Sequence, residues 1–151
     1  MSQQTSEVVI AKSVHVSAPP EHAFRVFTEG IHTWWPLHTH AVDPKSADTV
    51  VLEGREGGRL FERTASGDEH DWGTVVSWDP PRRLGYSWHP GRDEETAQEV
   101  ELTFSPDGDG TRVDLRHWGW EKLGERMEAT VADYDEGWDV VIGMYAEKAN
   151  G

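Results

Sequence analysis

The sequence contains no cysteine. Disulfides, thiol catalysis and cysteine-ligated zinc are therefore excluded. A chain without thiols fits a reducing compartment. Basic residues are scarce. Fourteen Lys and Arg face 28 Asp and Glu, for a net charge of −14. Such a surface repels phosphate backbones and anionic lipid, which argues against nucleic acid and membrane surfaces as partners. It leaves room for a basic partner. Long apolar runs are lacking too, since no stretch approaches the ~20 residues a membrane helix needs. The opening MSQQTSE has neither a basic start nor an apolar run, so it does not read as a signal peptide. A cytoplasmic protein without membrane insertion is expected, with residues 1–6 disordered.

What the chain does have is tryptophan. Eight occur in 151 residues, although only 36% of the chain is hydrophobic. The apolar material is concentrated in a few large, rigid side chains, which suits a cavity lined with rings. The length suits one domain spanning 1–151. The densest stretch is HTWWPLHTH, from His32 to His40, with three histidines and two tryptophans in nine residues.

Along the chain, VVIAKSVHV (8–16) reads as a strand that Pro19-Pro20 stop. Proline suits the first turn of a helix and Glu21 suits its positive end. A helix over EHAFRVFT follows, with Ser17 as a candidate cap and Gly30 as its end. A short helical turn is expected from Ile31 to Trp35. From about 49 to 117, β-rich runs alternate with turn signals. Val100, Leu102 and Phe104 alternate with Glu99, Glu101 and Thr103, and Val113, Leu115 and His117 with Asp114 and Arg116. This is an antiparallel meander with one covered face. Val131, Tyr134, Trp138, Val141 and Tyr145 recur at helical spacing, so a long C-terminal helix is the cover. Gly137 interrupts that stripe, which suggests a bend or a close approach.

Strand phase selects the inward residues. Trp72, Val76 and Trp78 share one phase, Leu84, Tyr86 and Trp88 another, and Leu102 and Phe104 a third. From the helix, Trp138, Ile142 and Tyr145 face the sheet. A hydrophobic or aromatic small molecule is the expected partner, since it would stack on these rings. The alternative is that the rings fill the interior and leave no cavity.

The pieces SAPPEHAFRVFTEGIHTWWP, GREGGRLFER, HDWGTVVSWDPPRRLGYSWHPG, VELTFSPDGDGTRVDLRHWGW and YDEGWDVVIGMY succeed one another along nearly the whole chain. Together they resemble the SRPBCC superfamily (START and Bet v 1-like), and within it the group related to the C-terminal domain of the activator of Hsp90 ATPase. The resemblance implies an α+β helix-grip fold: a curved antiparallel sheet around a long C-terminal helix, with two short helices after the first strand. It also implies a cavity between sheet and helix. The superfamily includes lipid carriers, polyketide aromatases and cyclases, hormone receptors, resistance binders and co-chaperone domains linked to stress responses. Fold alone therefore does not choose among them.

The candidate ligand-binding residues are Trp34, Trp35, Phe61, Trp72, Val76, Tyr86 and Trp88, continued by Leu102, Phe104, His117, Trp138, Ile142 and Tyr145. The resemblance places the Trp34-Trp35 segment at a cavity end. Neighbouring residues on a helical turn diverge by ~100°, so one ring can face the cavity while the other packs under the first helix. A non-enzymatic binder, monomeric or homodimeric and without cofactor, is the first expectation. An enzyme of the aromatase/cyclase or hydrolase kind would use His117 with Tyr86 or Tyr145 as acid–base groups. A chaperone partner of the Hsp90 type is the third. His32, His38 and His40 could in principle offer three imidazoles to a metal, but no carboxylate accompanies them at a familiar metal spacing. GREGGRL precedes a strand and lacks the order of a phosphate loop.

Overall fold

The computed structural model describes residues 9–121, 123 and 127–150. The expectation about residues 1–6 lies outside them. Strand β1 (Ile10–Val16) leads into helix α1 (Pro20–Phe27) and a single 3-10 turn (Ile31–Thr33). Six strands follow: β2 (Ala47–Leu52), β3 (Arg59–Thr64), β4 (Glu69–Asp79), β5 (Arg83–Trp88), β6 (Gln98–Asp107) and β7 (Gly110–Trp118). Helix α2 (Met127–Asn150) closes the order. The seven strands form one antiparallel sheet in the order β1-β7-β6-β5-β4-β3-β2. This is a helix-grip fold. The first two strands lie on opposite edges, so α1 and the segment after it bridge the open side. Among the described residues no helix is long and apolar enough to cross a membrane.

The two halves of the sheet differ in regularity. From β5 through β6 and β7 to β1 the register is unbroken. There alternation holds as read, with Gln98, Val100, Leu102 and Phe104 buried and the residues between them partly exposed. The β2–β3, β3–β4 and β4–β5 pairs each carry a register shift. Bulges add local twist and bend the strand that holds them, so this half bends toward the 3-10 turn, against which β2 packs.

Two sequence expectations fail in this bulged half. Val76 is 51% exposed, whereas Val75 is buried. The shift between Val75 and Ser77 leaves Val76 outside the ladder and turns it to solvent. Phe61 is buried, but on the outer face. The guanidinium of Arg59 lies 4.1 Å from its ring centroid and that of Arg63 5.4 Å. Residues i and i+2 share a strand face, so Arg59, Phe61 and Arg63 cover one side while Leu60, Glu62 and Thr64 line the other. Ser17 makes no cap either. Pro19 is the N-cap of α1, with no side-chain bond, and the Ser17 N–H donates to Asn150 Oδ1 at 2.6 Å, tying β1 to the end of α2.

Helix α2 packs by the stripe read from sequence. Trp138, Val141, Ile142 and Tyr145 are buried. Lys12 on β1 reaches Asp135 at 2.9 Å and Asp139 at 3.0 Å on the outer side of the helix. Tyr145 donates its hydroxyl to Ala23 O at 2.9 Å, locking α2 to α1.

Gly73 marks the tightest point of the curl. A Cβ there would sit 1.7 Å from Ser87 O on the neighbouring strand. Backbone cannot move aside as a flexible side chain can. Gly73→Ala should therefore lose ~2–3 kcal/mol in urea unfolding. A loss within ~0.5 kcal/mol, the range of an ordinary surface change, would contradict this account.

Candidate functional site

At one end of the interior, sheet and helix separate around a cavity of about 310 Å³. Four tryptophans from four segments wall it: Trp35 after the 3-10 turn, Trp72 on β4, Trp88 on β5 and Trp138 on α2. Ring centroids are 4.9 Å apart for Trp35–Trp72, 5.7 Å for Trp72–Trp88 and 5.4 Å for Trp88–Trp138. Tyr134 and Val141 extend the helix side. Pro90 and Gly91 close the β5 side, and the strap Thr39–Val42 crosses the mouth. Gly137 faces this space rather than the sheet. The nearest atoms to a Cβ built on it belong to the His40 ring, at 3.7 Å.

The tryptophan pair divides as its spacing suggests. Trp34 turns under α1, where its Nε1–H donates to Val26 O at 2.7 Å and its ring meets Phe27 and Tyr145. Trp35 turns to the cavity, and its Nε1–H donates to His40 O at 2.7 Å. That bond fixes both the ring and the strap.

The remaining anchor is Glu62, fully buried on the inner face of β3. Its carboxylate accepts the Trp72 Nε1–H at 2.7 Å, and the backbone N–H groups of Val42 at 2.5 Å and Asp43 at 2.9 Å. One side chain thus orients a cavity wall and ties down the strap. Sequence reading missed it by choosing Phe61 as the ligand-binding residue of this strand. The signal was present: the Phe61 phase carries two arginines, and the opposite phase carries one carboxylate among Leu60 and Thr64.

His117 is fully buried behind the cavity wall. Trp138 Nε1–H can only donate, and it meets His117 Nδ1 at 2.9 Å. The ring proton is therefore on Nε2, which donates to Gln98 Oε1 at 3.2 Å. Trp120 stacks on the ring with centroids 3.9 Å apart. Burial pushes the His117 pKa down to about 3. Both nitrogens are engaged with protein, so this histidine orients Trp138 and has no free atom for acid–base chemistry.

The other candidates sort by depth. Tyr86, Leu102, Phe104, Ile142 and Tyr145 do not line the cavity; they form the packed interior below it. Phe104 lies against Phe24 and Phe27, and Tyr145 against Phe27 and Trp34. Burial raises the Tyr86 and Tyr145 phenols above their ordinary value, so both stay protonated. His40 does line the cavity. Thr39 Oγ1 lies 2.6 Å from its Nδ1, and burial lowers its pKa. His32 and His38 are exposed and do not line the cavity. Among the described residues no three His, Asp or Glu side chains gather as a metal site.

The family model described as Activator of Hsp90 ATPase homolog 1-like protein matches residues 17–144. Among solved structures, the chain is similar to the anthrahydroquino-gamma-pyrone synthase Txn09, at 30% identity and TM-score 0.62, covering 93% of this chain and 97% of that one. It is similar to the self-sacrificing resistance protein CalC from Micromonospora echinospora, at 27% identity and TM-score 0.68, covering 94% of each chain. It shares its fold with the Aha1 dimer from Colwellia psychrerythraea, at 16% identity and TM-score 0.70, covering 95% of this chain and 96% of that one. Among curated proteins no sequence matches.

Two outcomes are expected from this geometry. Glu62→Gln removes one acceptor oxygen from a buried three-donor cluster, which should cost ~2–3 kcal/mol and speed hydrogen exchange at the Val42 and Asp43 amides. Unchanged exchange at those amides would show that Glu62 does not hold the strap. For His117 the folded pKa lies far below the ordinary value of 6.5. The unfolded chain then takes up a proton that the native state refuses. Stability is complete above pH 6.5 and falls as pH drops from there toward about 3, by up to ~1.4 kcal/mol per pH unit. Histidine ring NMR should show the Nε2–H tautomer of His117 unchanged from about pH 8 to about pH 5; titration within that range would refute the assignment.

Proposed function

The chain belongs to the Activator of Hsp90 ATPase homolog 1-like family, and from that premise we propose that it binds a flat, hydrophobic aromatic molecule in the tryptophan-walled cavity. The observation that carries this reading is the cavity wall: four indole rings from four segments, held 4.9–5.7 Å from their neighbours around open space of about 310 Å³. Concave sites of this size, apolar with few polar groups, are the ordinary form of small-molecule sites. Three of the four rings are already fixed by their hydrogen bonds, so little side-chain ordering opposes binding. The similarity to the synthase Txn09 supports a small-molecule role without naming the molecule.

A second reading is enzymatic, and the 30% identity to a synthase favours it. Of the titratable groups in the cavity wall, the His40 imidazole is the one suited to moving a proton near neutral pH. An enzyme on this scaffold would use His40, in place of the buried His117.

Gly137 supplies the test. A side chain there enters the cavity, and a Cβ meets the His40 ring only at ordinary contact distance. Gly137→Leu should keep or raise the unfolding midpoint, since glycine costs a helix interior ~0.8–1 kcal/mol. It should weaken quenching of tryptophan fluorescence by neutral fused-ring aromatics at least ~10-fold, a loss of ~1.4 kcal/mol. Equal affinity in the variant, or no quenching by any such compound in the parent, would overturn the reading.

A further inference from the structure

The four cavity tryptophans differ in one respect. Three of their indole N–H groups are matched to protein acceptors: Trp35 to His40 O, Trp72 to Glu62, Trp138 to His117 Nδ1. The fourth is not. Among the described residues, Trp88 Nε1 is the one buried side-chain nitrogen or oxygen without a hydrogen-bond partner. Trp88 is 3% exposed. A buried donor left unmatched is costly, and native structures rarely keep one without a reason.

The surroundings of this N–H suggest the reason. Trp88 lines the cavity, and so does Tyr134, whose ring centroid lies 6.1 Å away at a steep angle. The Tyr134 hydroxyl is close enough to feel the Trp88 N–H but does not reach hydrogen-bond geometry. Burial is the main influence on that phenol and raises its pKa, with Trp88 and Arg92 pulling the other way. It is therefore protonated, and it can donate as well as accept. Tyr134 is partly exposed at the rim. Thus one edge of an otherwise apolar, ring-lined space carries a buried, unmatched N–H with a phenol hydroxyl beside it.

We propose that the Trp88 N–H, with the Tyr134 hydroxyl beside it, is the polar anchor of the cavity and takes the carbonyl oxygen of a flat aromatic ketone or quinone. A carbonyl oxygen has two lone pairs in the plane of its rings. It can accept from both donors while the rings lie among Trp35, Trp72 and Trp138. A pure hydrocarbon would leave the N–H unmatched. The inference rests on the cavity reading above and adds to it the class of ligand.

The test compares two neutral tricyclic probes that differ at one position, 9-fluorenone and fluorene, in the intact protein. Fluorenone should bind about tenfold more tightly, the effect of one well-placed hydrogen bond. In spectra of protein labelled with ¹⁵N at its indoles, fluorenone should move one Nε1–H proton strongly downfield, and fluorene should not. The Trp88→Phe variant identifies that signal by its loss. It should also bring the two affinities to within about twofold, because the donor is gone while an aromatic ring remains. Should that variant not fold, the affinities and the indole shift in the parent still decide the matter. Equal binding of both probes, or no selective indole shift, overturns the anchor and leaves the cavity reading standing. If neither probe binds, the cavity reading itself fails.

Discussion

Burying tryptophan obliges a fold to find an acceptor for each indole N–H, and this interior is arranged around that obligation. Val26 O, His40 O, Glu62, His117 O and His117 Nδ1 receive the N–H groups of Trp34, Trp35, Trp72, Trp120 and Trp138. These are not generic contacts. Each one ties a ring to a different piece of chain, so placing the rings also places the segment after α1, the inner face of β3, the end of β7 and the middle of α2. Inside a low-dielectric core such bonds are strong when made and costly when broken. The same bonds explain two residues that look out of place by hydropathy. Glu62 and His117 are fully buried, and each accepts an indole N–H there, Glu62 with two backbone amides besides.

The fold was readable where the sheet is regular. Between β5 and β7, alternation of apolar and polar residues predicts the buried face residue by residue, and the register there carries no shift. The helical stripe of α2 was equally plain. Reading failed where bulges change the count. Strict period-2 phase carries Trp72 over to Val76, but the shift in the β4–β5 ladder puts Val75 inside instead. At Phe61, side-chain type misled. A phenylalanine sandwiched by Arg59 and Arg63 can cover the outer face of a sheet, because the guanidinium groups shield it from water.

The site was legible in part, for a different reason. Sequence identifies which residues are large and inward, and it cannot say which of them touch one another and which leave space. Trp35, Trp72, Trp88 and Trp138 were among the inward residues, as were Tyr86, Phe104 and Tyr145. Only three-dimensional packing separates the first group, around open space, from the second, in filled core. Local small residues open that space. Gly137 on α2 and Gly91 after β5 present no side chain to the cavity they border, and the strap residue opposite Gly91 is Val42, with 3.7 Å of clearance to a built Cβ. Gly137 reads in the sequence as an irregularity of the helix stripe; its place opposite the His40 ring depends on where the strap lies, which periodicity does not encode.

Rigidity and openness in this molecule have one origin. The rings that frame the cavity are held by bonds directed away from it, to the strap, to β3 and to β7. Their orientations are thereby set by the protein itself. A wall of unanchored rings would close on itself, since aromatic pairs attract at these separations. Here closure would break the bonds to Glu62, His40 O and His117, and each loss would leave a buried donor or acceptor unmatched. The hydrogen bonds that satisfy the tryptophans thus also keep the space between them open. Trp88 is the exception, because it has no such bond to hold it back from whatever enters.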